Sequence, residues 1–73
     1  MASGNAIEAK NLLKTVLLKQ PNLASVHKNL GLIFIQEKDI NNATKHLKEY
    51  LRLMPMAPDA MAIKSFLQSN SQG

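Results

Sequence analysis

Apolar residues recur at three- and four-residue intervals in four stretches of this chain, and each stretch reads as a helix with one buried side. The first runs from about Asn5 to Gln20 and carries Ile7, Ala9, Leu12, Leu13, Val16 and Leu17. Gly4-Asn5 reads as its start, with the Asn5 side chain capping free backbone N–H groups. Pro21 stops it, because the residue before a proline is pushed out of the α region. Asn22 is the expected cap of a second helix, Leu23 to about Lys38, with Val26, Leu30, Ile33, Phe34 and Glu37 along one side.

Asp39 separates the second and third helices and is placed to cap the third, Ile40 to about Met54. So short a gap forces the two helices to fold back as an antiparallel hairpin. Ala43, Leu47, Tyr50 and Leu51 form the inner face of the third helix, and Pro55 ends it. Pro58-Asp59 then opens a fourth helix to about Gln68, with proline tolerated in the first turn. Its apolar face is Ile63, Phe66 and Leu67. No stretch shows a strand pattern, so the predicted class is all-α.

The helices also repeat. A shift of about 34 residues lays Pro21 on Pro55, Leu17 on Leu51, Leu13 on Leu47 and Ala9 on Ala43. Lys14 falls on Lys48 and Asn5 on Asp39 in the same register. Matches four residues apart put the same helix face in both copies. A repeat unit cannot bury its apolar face alone; it stacks on neighbours, and the stack offers a surface to a partner. That favours binding over catalysis.

The residues that carry the repeat resemble the tetratricopeptide family. Its pattern is W-x2-L-G-x2-Y, then A-x3-F, then P, over a period of about 34 residues. This chain reads His27-x2-Leu30-Gly31-x2-Phe34, then Ala43-x3-Leu47, then Pro55, and the half-unit before it reads Gly4-Asn5-x3-Ala9-x3-Leu13 and Pro21. The small pair Gly31 and Ala43 allows two antiparallel helices to approach, with Leu30, Phe34 and Leu47 filling the space around the contact. His27 stands where the family has a large aromatic, and Tyr50 where it has alanine. No Leu-Gly pair recurs in the fourth helix, which resembles the terminal capping helix of such an array, with Lys64, Ser65 and Gln68 on its polar outer side.

The resemblance implies antiparallel hairpins stacked as a short right-handed solenoid of about four helices. Residues 1–3 read as a start or cloning remnant and 4–68 as the repeat domain. Within it fall a half repeat at 4–22, a full repeat at 24–57 and a capping helix at 58–68. The polar tail 69–73 reads as disordered. The resemblance also implies a protein-interaction module or scaffold that holds a partner's peptide or helix on a concave face. That face would carry Ser25, Lys28, Asn29, Leu32, Ile35 and Gln36, with Leu30, Ile33 and Phe34 turned into the core. Leu32 and Ile35, apolar and about one turn apart, are either covered by the fourth helix or a loop or form an apolar strip that receives a partner. Lys28 and Asn29 match two positions of a carboxylate clamp found in some members, but Leu32 replaces an asparagine that the clamp uses. Leu12 and Leu18 lie off the main stripe and are candidates for self-association, the alternative reading being a homodimer through the open end of the repeat.

Composition adds limits. At 73 residues with no cysteine, the chain forms at most one small domain, without disulfides. A domain of this size buries only about 60% of its unfolded surface. No apolar run reaches the roughly 20 residues that span a bilayer, and the first residues lack the basic and apolar blocks of a secretory signal. This predicts no membrane insertion; cytoplasmic is the default expectation, and the compartment is otherwise unmarked. The net charge is +4, but Lys10, Lys14, Lys19, Lys28, Lys38, Lys45, Lys48, Arg52 and Lys64 are scattered at helical spacings, the pattern of a solvated basic surface. Nucleic-acid binding, the third reading, asks for a clustered basic stripe with stacking aromatics. Phe34, Tyr50 and Phe66 instead sit at apolar helix positions.

Catalytic chemistry finds no constellation. His27 reads as a core-edge replacement for an aromatic, and His46, with Lys45 and Glu49 nearby, as a surface residue. Neither histidine has a carboxylate placed to orient it as a base. Met54, Met56 and Met61 cluster around two prolines, where methionine fills irregular gaps more often than it binds Cu(I). The expectation is a non-enzyme without cofactor or metal.

Overall fold

The computed structural model describes the backbone of residues 2–70 and the side chains of residues 6–70. Four helices follow one another: α1 Ala2–Lys19, α2 Ala24–Gln36, α3 Ile40–Leu53 and α4 Ala60–Asn70. No strand occurs among the described residues. Helix α2 packs on α3 and on α1, and α4 packs on α3. Helix α1 ends at Lys19 and α3 ends 34 residues later, at Leu53.

The α2–α3 turn is the most tightly specified part of the chain. Lys38 adopts φ 63°, a left-handed conformation. Its N–H donates to the Ile35 carbonyl at 2.9 Å, and the Asp39 N–H donates to the Phe34 carbonyl at 2.9 Å. These are the paired bonds of a Schellman motif, which satisfies the last carbonyls of a helix and reverses the chain. Asp39 then caps α3, its Oδ1 accepting from the Asn42 N–H at 3.3 Å and its Oδ2 from the Asn42 amide at 2.8 Å. The predicted hairpin follows from these contacts.

Two other caps differ from expectation. Helix α1 already includes Ala2–Gly4, so the Asn5 backbone lies inside it. Ala2 and Ser3 are thus helical, Ser69 and Asn70 belong to α4, and residues 71–73 lie outside the described residues. At α2 the cap is Leu23, with no side-chain bond, and not Asn22. Leu23 packs against the core, so burial of its side chain decides where the helix begins. Helix α4 starts at Ala60, two residues after Pro58. The Asp59 carbonyl accepts from the Ile63 N–H at 3.0 Å, so Asp59 takes the cap position.

The core has two linked parts. Val26, Leu30, Phe34 and Ala43 pack with Leu13, Val16, Leu17 and Leu23. Leu47, Tyr50, Ile63 and Leu67 pack with Ala24, Leu51, Ala57 and Phe66. Ile35 touches both parts. It was expected on an open face, but it is half-buried between α2 and the α3–α4 layer. At the crossing of α2 and α3, a Cβ on Gly31 would lie 2.6 Å from Leu47 Cδ2, 2.7 Å from Leu47 Cγ and 3.5 Å from the Ala43 carbonyl oxygen. A side chain there would overlap Leu47, so the close approach requires glycine.

Polar groups lock this frame. The Tyr50 hydroxyl donates to Asp59 Oδ1 at 2.8 Å, and Lys28 Nζ lies 2.5 Å from Asp59 Oδ2. The bulky residue at position 50 is thereby accommodated: its ring is buried and its hydroxyl holds the α3–α4 connection. Glu37 lies just beyond α2 and not along its inner side, exposed and 2.6 Å from Lys10 Nζ.

Candidate functional site

An open groove of about 420 Å³ runs between α1 and α2, lined by Ala9, Leu12 and Leu13 on one wall and Asn29, Leu32 and Ile33 on the other. The walls belong to different helices, and the side chains that face each other are apolar except for Asn29. Leu12 is 70% exposed and Leu32 46%. Ala9, Leu13 and Ile33 form the half-buried floor. Volumes of roughly 300–1,000 Å³ with mainly apolar linings are typical of ligand sites. Nothing in the lining titrates. The groove can bury apolar surface and offer one amide for orientation.

The residues predicted for the concave face divide in three. Asn29 and Leu32 are groove walls. Ser25 and Gln36 are exposed but do not line the groove. Lys28 and Ile35 are committed elsewhere: Lys28 to Asp59 and, 5.8 Å away, the Tyr50 ring, and Ile35 to the core. Lys28 is therefore not free to clamp a carboxylate. Of the two self-association candidates, Leu12 lines the groove. Leu18 is 85% exposed and lies outside its lining. Residues proposed for two different roles, Leu12 and Leu32, thus face one another across a single groove.

Ile33 is a correction. It was expected in the core with Leu30 and Phe34, yet it turns toward α1 and lines the groove. Ala9 and Leu13 had been read only as the inner face of a repeated helix. The signal that locates them is that same repeat: their counterparts Ala43 and Leu47 are covered by α2.

The histidines form a pair. His27 Nε2 lies 2.9 Å from the Pro21 carbonyl oxygen, which can only accept, so Nε2 carries hydrogen. With Nε2 donating, Nδ1 of His27 is the atom left to accept from His46 Nδ1–H, 3.1 Å away. This tautomer is assigned from the bonding network. His27 is 8% exposed. His46 is not a surface residue: it is half-buried and its ring stacks on Phe34 at 5.7 Å between centroids. Burial, chiefly, and then the positive surroundings of His27, Lys45 and Lys14 hold the His46 pKa below the ordinary imidazole value, with Glu49 opposing.

Among the described residues no helix is long and apolar enough to cross a membrane, and no group of three or more His, Cys, Asp or Glu side chains is arranged to hold a metal ion. Comparison with known proteins found no matching family model, and no significantly similar curated protein or solved structure.

Proposed function

We propose that this chain is a protein-interaction module of tetratricopeptide type that receives an apolar segment of another polypeptide in the groove between α1 and α2. The observation that supports this most strongly is Leu12 and Leu32, both well exposed on opposite walls of one apolar groove. Isolated exposed leucines are ordinary, whereas contiguous apolar surface in a groove marks an interaction site. The module acts by burial and carries no cofactor. Its specificity comes from groove shape and from the Asn29 amide.

The test is a selection of helical and extended peptides displayed against the wild-type chain, with the Leu12→Glu chain as counter-selection. Leu12 lies mostly in solvent, so the substitution should leave the fold within about 0.5 kcal/mol of wild type. Peptides that bind wild type and not Leu12→Glu support the reading. A selection that yields only peptides binding both chains equally refutes it.

Self-association is the rival use of the same groove, because the Leu12 expected at a dimer contact is a groove wall. A dimer in sedimentation at high concentration that Leu12→Glu dissolves would favour it. Variants of Leu32 alone do not separate the two readings, and Ile35→Asp would charge the core.

A further inference from the structure

Accepting that the groove is a docking site, we infer that its occupant is an amphipathic helix from outside these 73 residues, built on the pattern of α2, with a glycine set between a leucine and, three residues on, a phenylalanine. The inference rests on the reading above and adds the chemistry of the occupant. It comes from the internal repeat, because the groove has a filled counterpart in the same molecule.

Carried forward one repeat period, the six groove residues become Ala43, His46, Leu47, Ile63, Phe66 and Leu67. Ala43, Leu47, Ile63 and Leu67 are buried, and His46 and Phe66 are half-buried. What covers this set is α2. Gly31 lies over Ala43 and Leu47, the Phe34 ring stacks on His46, and Ile35 packs into the cluster that holds Ile63 and Leu67. In the groove the same two anchors, alanine and leucine, recur as Ala9 and Leu13 with no helix of the described residues above them. A helix that fits one seat therefore fits the other. The other four positions differ: Leu32 and Ile33 replace Phe66 and Leu67 apolar for apolar, and the remaining two change polarity and refine the fit. Leu12 stands in place of His46, so the occupant needs no histidine to face it. Asn29 stands in place of Ile63, so one polar residue on the occupant is matched.

The glycine is the sharpest requirement. In the filled seat a single added carbon would come within 2.6 Å of the leucine, far inside the roughly 3.5–4.0 Å of ordinary carbon contacts. The leucine that imposes this limit recurs in the groove as Leu13.

A second copy of this chain does not supply such a helix. Its own α2 is buried in its core. Its α4 has Lys64, Ser65 and Gln68 where α2 has Leu30, Gly31 and Phe34, and all three are exposed and polar. The face of α4 that would have to enter the groove is thus hydrophilic, and α1, although Ile7, Leu12 and Leu18 are exposed on it, has no leucine–glycine pair followed by phenylalanine. The pattern therefore points to a helix from outside these 73 residues.

The experiment uses the whole 73-residue chain and a fluorescein-labelled synthetic peptide of residues 22–38, read by anisotropy. Expected is saturable binding, weakened at least tenfold by Gly31→Leu in the peptide and at least tenfold by Leu12→Glu in the chain. The Leu12→Glu arm also excludes displacement of the chain's own α2, since Leu12 takes no part in that seat. No binding, or equal binding of the Gly31→Leu peptide, overturns the inference. If selected peptides of another pattern bind in a Leu12-dependent way while the α2 peptide does not, the docking reading survives and the occupant is wrong. If no peptide of any pattern binds in a Leu12-dependent way, both fall. A Leu12-dependent dimer would make the second copy the occupant and overturn the inference as well.

Discussion

Gly31→Ala is the substitution for which local helix physics and packing give opposite signs. In an ordinary helix interior, replacing glycine by alanine stabilises by about 1 kcal/mol, because the flexible residue no longer has to be ordered. Here the new methyl would stand 2.6 Å from Leu47 Cδ2 and 2.7 Å from Cγ, roughly 1 Å inside the usual contact distance. Leu47 is 1% exposed, so it cannot swing into solvent. Because Cγ is involved, rotating the tip alone does not relieve the overlap. Overpacking of this kind costs about 1–3 kcal/mol. The net is a loss of up to about 2 kcal/mol, against a total stability of roughly 0.05–0.15 kcal/mol per residue. For a domain this small each kcal/mol lost lowers Tm by about 4–8 °C.

The assay is urea unfolding followed by circular dichroism, with stability obtained by linear extrapolation. A double-mutant cycle isolates the cause. Leu47→Ala alone should cost about 2–5 kcal/mol, so trimethylamine N-oxide is kept in all four samples to hold the weakest ones folded. With Leu47 truncated the methyl keeps only an ordinary contact with the Ala43 carbonyl oxygen at 3.5 Å, and Gly31→Ala should then stabilise by about 1 kcal/mol. The reasoning is refuted if Gly31→Ala stabilises the wild-type chain, or if its effect is the same in both backgrounds.

Three further outcomes follow from particular contacts. His46 has a depressed pKa, so the unfolded chain binds more protons than the folded one below about pH 6.5; stability should be full above that pH and decline as pH falls through the lower folded value, and His46→Gln should flatten that part of a Tm–pH profile. Lys38 is held left-handed at φ 63°, a conformation that disfavours residues with a Cβ by about 1–2 kcal/mol, so Lys38→Gly should raise stability, by less than that because glycine also gains unfolded-state entropy; a drop in Tm would contradict the Schellman geometry. Asp59 is held below the ordinary carboxyl range first by Lys28 and then by Tyr50, so its carboxyl carbon should titrate at higher pH in Tyr50→Phe and higher again in Lys28→Met, in carbon-detected NMR; an unchanged midpoint in both would remove the network.

Much of the helical framework was legible because apolar spacing and proline are strong local signals. Pro21 and Pro55 mark the two ends that the 34-residue repeat matches, and Asp39 caps α3 as its position suggests. The misplaced starts of α1 and α2 show where local chemistry loses. Asn22 is a better cap than Leu23 in isolation, but the apolar side chain of Leu23 reaches the core and fixes the first turn. The site was legible only in pieces. Leu32 and Leu12 stood out as apolar residues off the main stripes, yet nothing in spacing alone shows that they face each other, because that depends on how α1 crosses α2. Ile33 and Ile35 were exchanged for the same reason. Both lie beside Phe34, and which one turns to the core depends on where α1 and α4 sit, a tertiary fact. His46 went unrecognised because its partner His27 is far away in sequence, on the facing helix.

The groove also bears on why the fold holds together at all. A chain of this length buries only about 60% of its unfolded surface, and this one keeps Leu12 and Leu18 largely in water and Leu32 nearly half exposed. On the helix between core and groove, neighbouring residues divide the work: Leu13 packs toward Phe34 and the other core side chains while Leu12 turns outward. Filling the groove adds apolar contact to α1, which among the described residues packs on α2 alone. Binding and stability are then linked: an occupant present at a hundred times its Kd stabilises the folded chain by about 2.7 kcal/mol. That is a large fraction of the margin of so small a domain. The free chain should therefore exchange α1 amide hydrogens faster than those of the α2–α3 hairpin, and the occupied chain should lose that difference. An α1 that is as protected as the hairpin in the free chain would mean that the groove contributes no such coupling.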